Sequence, residues 1–270
     1  MLSTRPTTSS LATKLISAGA LREDGVPVLD ALLARDTRLI DDGMPIFEQG
    51  ERPEAIEVIV AGWAIRDRRL SGGRRQTVGI LCAGDVCDFN VFLMKRADSG
   101  CHAVGPVRVA RIGRRALNQL NQHHPAIGQA LWWESMAAAA IQREWVANLA
   151  SRRAEPRIAA LLCMLYARMQ LAGETAASAM PWPFTQGDLA NACGLTVEHC
   201  NRSLAALRKR GLVEIRDGQV TFHDPAALAR YATFDAAPFH CDPALLPFAE
   251  EEARPHAPTP MISADFAPAA

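Results

Sequence analysis

Residues 185–222 read TQGDLANACGLTVEHCNRSLAALRKRGLVEIRDGQVTF, and the spacing of caps, glycines and apolar positions in this stretch decides the architecture of the C-terminal half. Thr185 is an N-cap for a helix through Ala192, since its hydroxyl accepts from the unpaired N–H groups of a first helical turn. Gly194 then permits the left-handed residue on which a helix-turn-helix bends. Small Ala190 precedes it by four residues, where two helices must approach closely, and Leu189, Leu195, Cys200 and Leu204 fall where the pair would share a core. A second helix starts at its own cap, Thr196, and runs to Arg210 before Gly211 ends it. After it, Leu212 to Ile215 and Val220 to Phe222 are short apolar strands joined across Asp217-Gly218, a strong signal for a tight hairpin. A helix-turn-helix followed by a hairpin is a winged helix-turn-helix.

The residues that this unit leaves outside point to double-stranded DNA. Glu198 and Arg202 are four apart and Asn201 is three from Glu198, so all three project from one face of the second helix. Arginine pairs in two-pronged fashion with guanine O6 and N7, glutamate accepts from the cytosine amine, and Asn201 suits a base edge or a phosphate. Thr185, Gln186 and Thr196 at the helix starts, Arg208 in the Arg208-Lys209-Arg210 run, and Arg216 at the wing complete the expected DNA-binding set, with the basic residues setting register on phosphates. Taken alone, the same residues also fit an ordinary exposed Glu-Arg pair and a solvated charge run.

Net charge is zero, which conceals an asymmetry. From Asp235 to Ala270 six acids (Asp235, Asp242, Glu250, Glu251, Glu252, Asp265) face Arg254 alone, so the rest of the chain carries an equal positive excess. Much of that excess sits in Arg202, Arg208, Lys209, Arg210 and Arg216, a footprint suited to phosphate. The tail from 235 onward is rich in proline, alanine and acid and is expected to be unstructured. The seven cysteines (Cys82, Cys87, Cys101, Cys163, Cys193, Cys200, Cys241) form no C-x-x-C pair and read as reduced thiols. No apolar run approaches the roughly 18 residues of a membrane span. Met1 to Arg22 also lacks a signal-peptide layout, so a cytoplasmic location is expected.

Upstream, residues 1–36 read as a helical lead-in, with Val28, Leu29, Leu32 and Leu33 as a modest apolar face. Residues 37–122 change texture to short apolar runs cut by glycine turns, which predicts an antiparallel β-roll or barrel. Pro125 opens a long helix within 123–151, on which Ile127, Leu131, Ala138, Ile141, Trp145 and Leu149 make an apolar stripe. A helix of about 25 residues outreaches a small roll, so pairing with a twofold mate is the natural cover; packing wholly inside its own chain is the alternative. Ser151-Arg152-Arg153 interrupts that stripe as a hinge into 152–234, which carries the winged unit. The class is therefore α+β: an N-terminal β-roll of jelly-roll type, a long dimerisation helix and a C-terminal winged helix-turn-helix.

At two places the residues resemble the Crp/Fnr regulators, a resemblance that covers about 35 to 230. Gly194-Leu195-Thr196-Val197-Glu198-His199-Cys200-Asn201-Arg202 looks like that family's recognition helix, while Phe47-Glu48-Gln49-Gly50-Glu51, Gly62 and Gly84-Asp85 are similar to the glycine framework of its cyclic-nucleotide-binding-type roll. The resemblance implies a homodimer, an operator with twofold symmetry, and recruitment or blocking of RNA polymerase. It also limits the signal. Cyclic-AMP-binding members follow Gly-Asp with Gly-Glu and later carry an Arg-Ser pair, whereas here Cys87-Asp88-Phe89-Asn90 and Ala97-Asp98 fall at those sites. An aspartate facing a phosphate repels it. Asp88, Phe89, Asn90 and Asp98 are candidates for lining a pocket for an unidentified effector, and with Lys95 and Arg96 nearby to restore positive charge, a cyclic-nucleotide-responsive regulator or receptor module is the alternative. The oxygen-sensing members' N-terminal cysteine cluster has no counterpart, since the first cysteine is Cys82. No glycine-rich phosphate loop, zinc-ligand spacing or nucleophile motif marks an enzyme, and no cofactor or metal is expected.

Overall fold

A computed structural model describes residues 8–89, 95–175 and 178–248. The lead-in forms α1 (Ser10–Ser17), capped by the Ser9 hydroxyl, and α2 (Val26–Ala34). Both are core elements: Leu11 and Leu15 of α1 and Leu29 of α2 are almost completely buried against the roll and the long helix. The roll comprises β1 (Thr37–Ile40), β2 (Pro45–Phe47), β3 (Ala55–Arg69), β4 (Arg75–Cys82) and β5 (Gly100–Gly113), antiparallel throughout. The order is β1-β5-β3-β4, with β2 also on β5.

Where the glycine punctuation of the sequence predicts two short runs on either side of Gly62, the chain makes one 15-residue strand, β3, bent in place. The register of β3 on β5 shifts at Ala61 and again before Trp63, and Gly62 between them takes φ +96°. A Cβ at Gly62 would stand 2.7 Å from the Pro106 carbonyl oxygen, so a bare backbone is required for the bend. Glycine here marks a bulge within a strand.

α3 (Arg114–His123) leads into α4 (Pro125–Ser151), with Pro125 in the first turn as expected. The apolar stripe foreseen from sequence is turned largely toward the chain itself. Ile127, Leu131 and Trp145 are buried, Ile141 and Leu149 half-buried, and only Ala138 is exposed. The free face is a different one: Trp132, Met136, Ala139, Arg143, Val146 and Ala150, all exposed, follow one another at steps of four and three. Periodicity misassigns the stripe because α4 is apolar on more than one side, and spacing does not reveal which side the roll covers.

α4 ends at Ser151 and α5 (Ala154–Leu171) begins three residues later, so Arg152-Arg153 is the joint. Arg152 reaches from it to the carbonyls of Ala232 and Thr233 (2.8 Å each) and to Glu144 (2.8 Å). α5 is buried nearly all round and carries the DNA-binding half: β6 (Ala179–Pro181), α6 (Gln186–Cys193), α7 (Val197–Lys209), β7 (Val213–Arg216), β8 (Gln219–Phe222) and α8 (Pro225–Ala232). The hairpin belongs to a three-stranded sheet in the order β6-β8-β7.

The tail departs from expectation over residues 235–248. Phe239 and Leu246 are buried, and Phe248 packs edge-on to Tyr166 (6.0 Å) and Phe234 (5.0 Å). The composition of the whole stretch hid three apolar anchors among its prolines and acids. Residues 249–270 lie outside the described part.

A buried ion cluster, invisible in the sequence, joins four elements. Lys14 of α1 meets Asp85 (3.0 Å) after β4 and Glu134 of α4 (2.5 Å), and Arg168 of α5 pairs with Asp85 and donates to the Ile80 carbonyl at 2.7 Å. Burial opposes ionisation of Asp85, but Arg168 and Lys14, with the Cys82 N–H, bring its carboxyl down to about 2. Glu134 is raised, chiefly by burial. The partners of Lys14 lie 71 and 120 positions from it along the chain.

Candidate nucleic-acid interface

The helix-turn-helix is built by local capping. The Thr185 hydroxyl accepts from the Asp188 N–H (3.1 Å) while the Asp188 carboxylate accepts from the Thr185 N–H (2.8 Å), a reciprocal capping box. α6 closes on Gly194 in the left-handed region at φ +62°, and α7 opens on Thr196, whose hydroxyl accepts from the His199 N–H (3.3 Å). Between the helices Leu189 and Cys200 are buried, with Leu195 and Leu204 half-buried, giving the shared core that the spacing anticipates. The thiols of Cys193 and Cys200 are both raised by burial, Cys200 to about 11, which keeps them protonated packing groups.

Glu198, Asn201 and Arg202 are all exposed on the first two turns of α7. The Glu198 carboxyl is held below its usual range by its own backbone N–H and the Thr196 hydroxyl, with Arg202 adding to the effect, so it stands as an ionised acceptor at neutral pH. Thr185, Gln186 and Thr196 are exposed at the two helix starts. Gln186, Asn201 and Arg208 share one shallow groove with Glu214 and Ile215 of the wing. Arg208, exposed, is 3.9 Å from the half-buried Glu214, a loose contact. The wing turn has φ +51° at Asp217 and +73° at Gly218, both in the left-handed region as a tight two-residue hairpin requires. Arg216 stands exposed beside Asp217 at the wing's tip. Arg210, by contrast, is engaged by neighbours while still exposed: its guanidinium lies 5.1 Å from the Tyr231 ring and 3.7 Å from Glu155.

The expected effector residues do not converge. Asp88 lines a cavity with Arg38, Glu57 and Arg111. Phe89 packs against the apolar cluster formed by α1, α2 and α4. Asp98 is exposed and accepts from the Ser99 hydroxyl at 3.1 Å, and Asn90 lies outside the described residues. A second opening lies instead at the junction of the roll with α4 and α5, lined by Arg66, Trp133, Glu134, Trp145, Arg168 and Phe239 among others. Its walls come from elements far apart in the chain, which is why no contiguous motif announces it. Among the described residues no group of three or more His, Cys, Asp or Glu is arranged to hold a metal ion, and no helix is long and apolar enough to cross a membrane.

The cyclic nucleotide-binding domain family matches residues 37–124, and the Crp-like helix-turn-helix domain family matches 156–231. The nitrogen fixation regulation protein FixK of Bradyrhizobium diazoefficiens is 25% identical over 190 residues, 70% of this chain and 79% of that protein. The fumarate and nitrate reduction regulatory protein of Escherichia coli K12 is 25% identical over 212 residues, 78% and 84% of the two chains. In fold, FixK2 from Bradyrhizobium japonicum superposes with a TM-score of 0.63 at 21% identity, covering 72% of this chain and 96% of the other. A CRP-family transcriptional regulator of Thermus thermophilus, TTHB099, gives 0.56 at 21% identity, covering 73% and 96%. A matched roll, a matched helix-turn-helix and relatives aligned across both make this chain a member of the Crp/Fnr family of DNA-binding transcription regulators.

Proposed function

We propose that the protein is a homodimeric regulator that reads a twofold-symmetric operator with Glu198 and Arg202, and recruits or blocks RNA polymerase there. The observation that carries the base-reading roles is the exposure of an ionised Glu198 and of Arg202 one turn apart at the start of a capped helix. Arg202 serves guanine and Glu198 cytosine, with Asn201 beside them. Thr185, Gln186, Thr196, Arg208 and Arg216 hold the backbone on either side. Arg202→Ala is expected to reduce discrimination between operator and scrambled duplex by about 1 to 3 kcal/mol. A selected operator and a scrambled control, titrated by fluorescence anisotropy at one salt concentration, read this; equal discrimination in variant and parent refutes the role.

The dimer reading is supported by the free stripe on α4. Trp132, Met136 and Val146 are 69%, 60% and 59% exposed in the single chain, at positions that repeat as a coiled-coil seam does. A twofold mate covers such a seam with an identical one.

The sensor reading is supported by two placements. Asp98 is exposed and bonded to Ser99, and the two arginines that line a cavity with Asp88, Arg38 and Arg111, are each paired with Glu57 at 3.1 Å, which argues against a cradle for a cyclic phosphate. The cavity between the roll and α4 is where a small molecule would touch sensor, dimer helix and α5 together. Calorimetry with cyclic AMP and cyclic GMP is expected to give no heat of binding at millimolar ligand; a saturable isotherm with either nucleotide overturns this part.

The domain reading follows the elements: sensor within 37–122, dimer helix within 123–151, and DNA-binding unit within 152–234.

A further inference from the structure

The hairpin that joins β3 to β4 is docked beside the helix-turn-helix, and its two sides differ in charge. Asn191, near the end of α6, is bonded along the edge of β4: the Thr77 N–H donates to its Oδ1 (3.0 Å), its Nδ2 donates to the Arg75 carbonyl (3.2 Å), and Gln76 Nε2 donates to its carbonyl (2.9 Å). Asn191 lies five residues, or about 7.5 Å of helix, from Gln186 at the start of α6. The hairpin is thereby held alongside the DNA-binding unit by side chains on both partners.

Five arginines decorate this hairpin: Arg66, Arg68, Arg69, Arg74 and Arg75. Directly opposed residues of an antiparallel pair project to the same side, and neighbours alternate. Arg69 opposes Arg75, and Arg68 opposes Gln76. On the first side positive charge is compensated: Arg69 pairs with Glu48 (2.5 Å), and Arg75 meets Asp67 (3.5 Å) and His102 (3.0 Å). The second side is the one whose Gln76 touches α6. It carries Arg68 and, one step before Arg75 in extended backbone, Arg74. Both are exposed, and among the described residues neither guanidinium has a hydrogen-bond or ion-pair partner. Positive charge is thus left unneutralised on the side that adjoins the helix-turn-helix.

We infer that Arg68 and Arg74 form a second, sequence-independent contact of this protein with duplex DNA, gripping backbone phosphates next to those held by α6. The partner is a polyanion because two free guanidiniums, permanently charged, stand together on an exposed side with no protein acid to meet them. The inference rests on the DNA-binding reading above but makes a separable claim: the recognition helix supplies discrimination, and this hairpin supplies affinity alone.

The test compares the full-length parent with Arg68→Ala/Arg74→Ala and with the charge-keeping Arg68→Lys/Arg74→Lys, titrated against a long operator duplex and a long scrambled duplex over a series of salt concentrations. The alanine pair is expected to weaken binding to both duplexes by about tenfold. The slope of log affinity against log salt should become shallower by about 0.9 for each phosphate that is no longer neutralised. The ratio between the two duplexes should be unchanged, and the lysine pair should retain most of the affinity. Unchanged affinity and slope overturn the inference, as does an altered operator-to-scrambled ratio. Intact DNA binding combined with reduced output in reconstituted transcription would assign the hairpin to an acidic protein surface and likewise overturn it. Failure of the base-reading proposal shows instead as retained discrimination in Arg202→Ala, so the two failures are distinct.

Discussion

Single residues in this chain act mainly by permitting or closing a backbone conformation. Gly62 is the clearest case: φ +96° and a Cβ position 2.7 Å from the Pro106 carbonyl exclude any side chain at the bend of β3. Gly62→Ala is expected to destabilise the protein by about 2 kcal/mol or more, combining left-handed strain with a steric clash. Urea unfolding monitored by far-ultraviolet circular dichroism measures it. Gly50, also at positive φ, has nothing within 4 Å of a built Cβ and should tolerate alanine better. Thr185 and Gly194 act in the same way, and at these positions the local rule and the observed conformation coincide because capping and left-handed turns depend only on residues within four positions.

At the scale of elements, α4 carries the surface on which the proposed dimer rests. One flank packs on the roll and α5, and the opposite flank carries Trp132, Met136 and Val146 in the open. Placing a charge in that seam should separate protomers without unfolding them, since the position is exposed in the single chain. Met136→Glu is expected to shift the dimer toward monomer while keeping its circular dichroism spectrum; sedimentation equilibrium reads the change, and an unaltered dimer constant would assign the interface to another surface. Operator affinity should fall together with dimerisation, because each half-site alone retains only one recognition helix.

For the molecule as a whole, the buried cluster of Lys14, Asp85, Glu134 and Arg168 ties α1, the roll, α4 and α5 into one body. Asp85 sits at about 2 in the folded chain, below the roughly 3.9 of a free aspartate. A carboxyl with a depressed folded pKa contributes stability that is fully present above its unfolded value and lost as pH falls through the folded one. The contribution of Asp85 therefore disappears between about pH 4 and pH 2, whereas the raised Glu134 takes up its proton at higher pH, before that loss begins. Asp85→Asn, which leaves Arg168 buried without its carboxylate, is expected to cost about 3 to 5 kcal/mol at neutral pH. It should also flatten the fall in urea midpoint between pH 4 and 2; an unchanged acid profile would show that the cluster does not govern acid stability.

Short-range chemistry was legible before any coordinates. The helix-turn-helix, its caps, the Asp217-Gly218 wing turn, the exposure of Glu198 and Arg202 and the β texture of the roll each follow from interactions within a few residues, and the structure reproduces them. Choices among chemically equivalent surfaces were not legible. Which flank of α4 meets the roll, that Arg210 stacks over Tyr231 while Arg208 reaches toward Glu214, and that Phe239 and Leu246 anchor part of an acidic, proline-rich tail all depend on what lies opposite in space. The same holds for Lys14, an ordinary lysine in a short helix until folding brings Asp85 and Glu134 to it. The sequence by itself determined the local units and the residues that one of them presents outward. Only the tertiary structure decided how those units pair their faces, because burial and charge compensation are set by neighbours far along the chain.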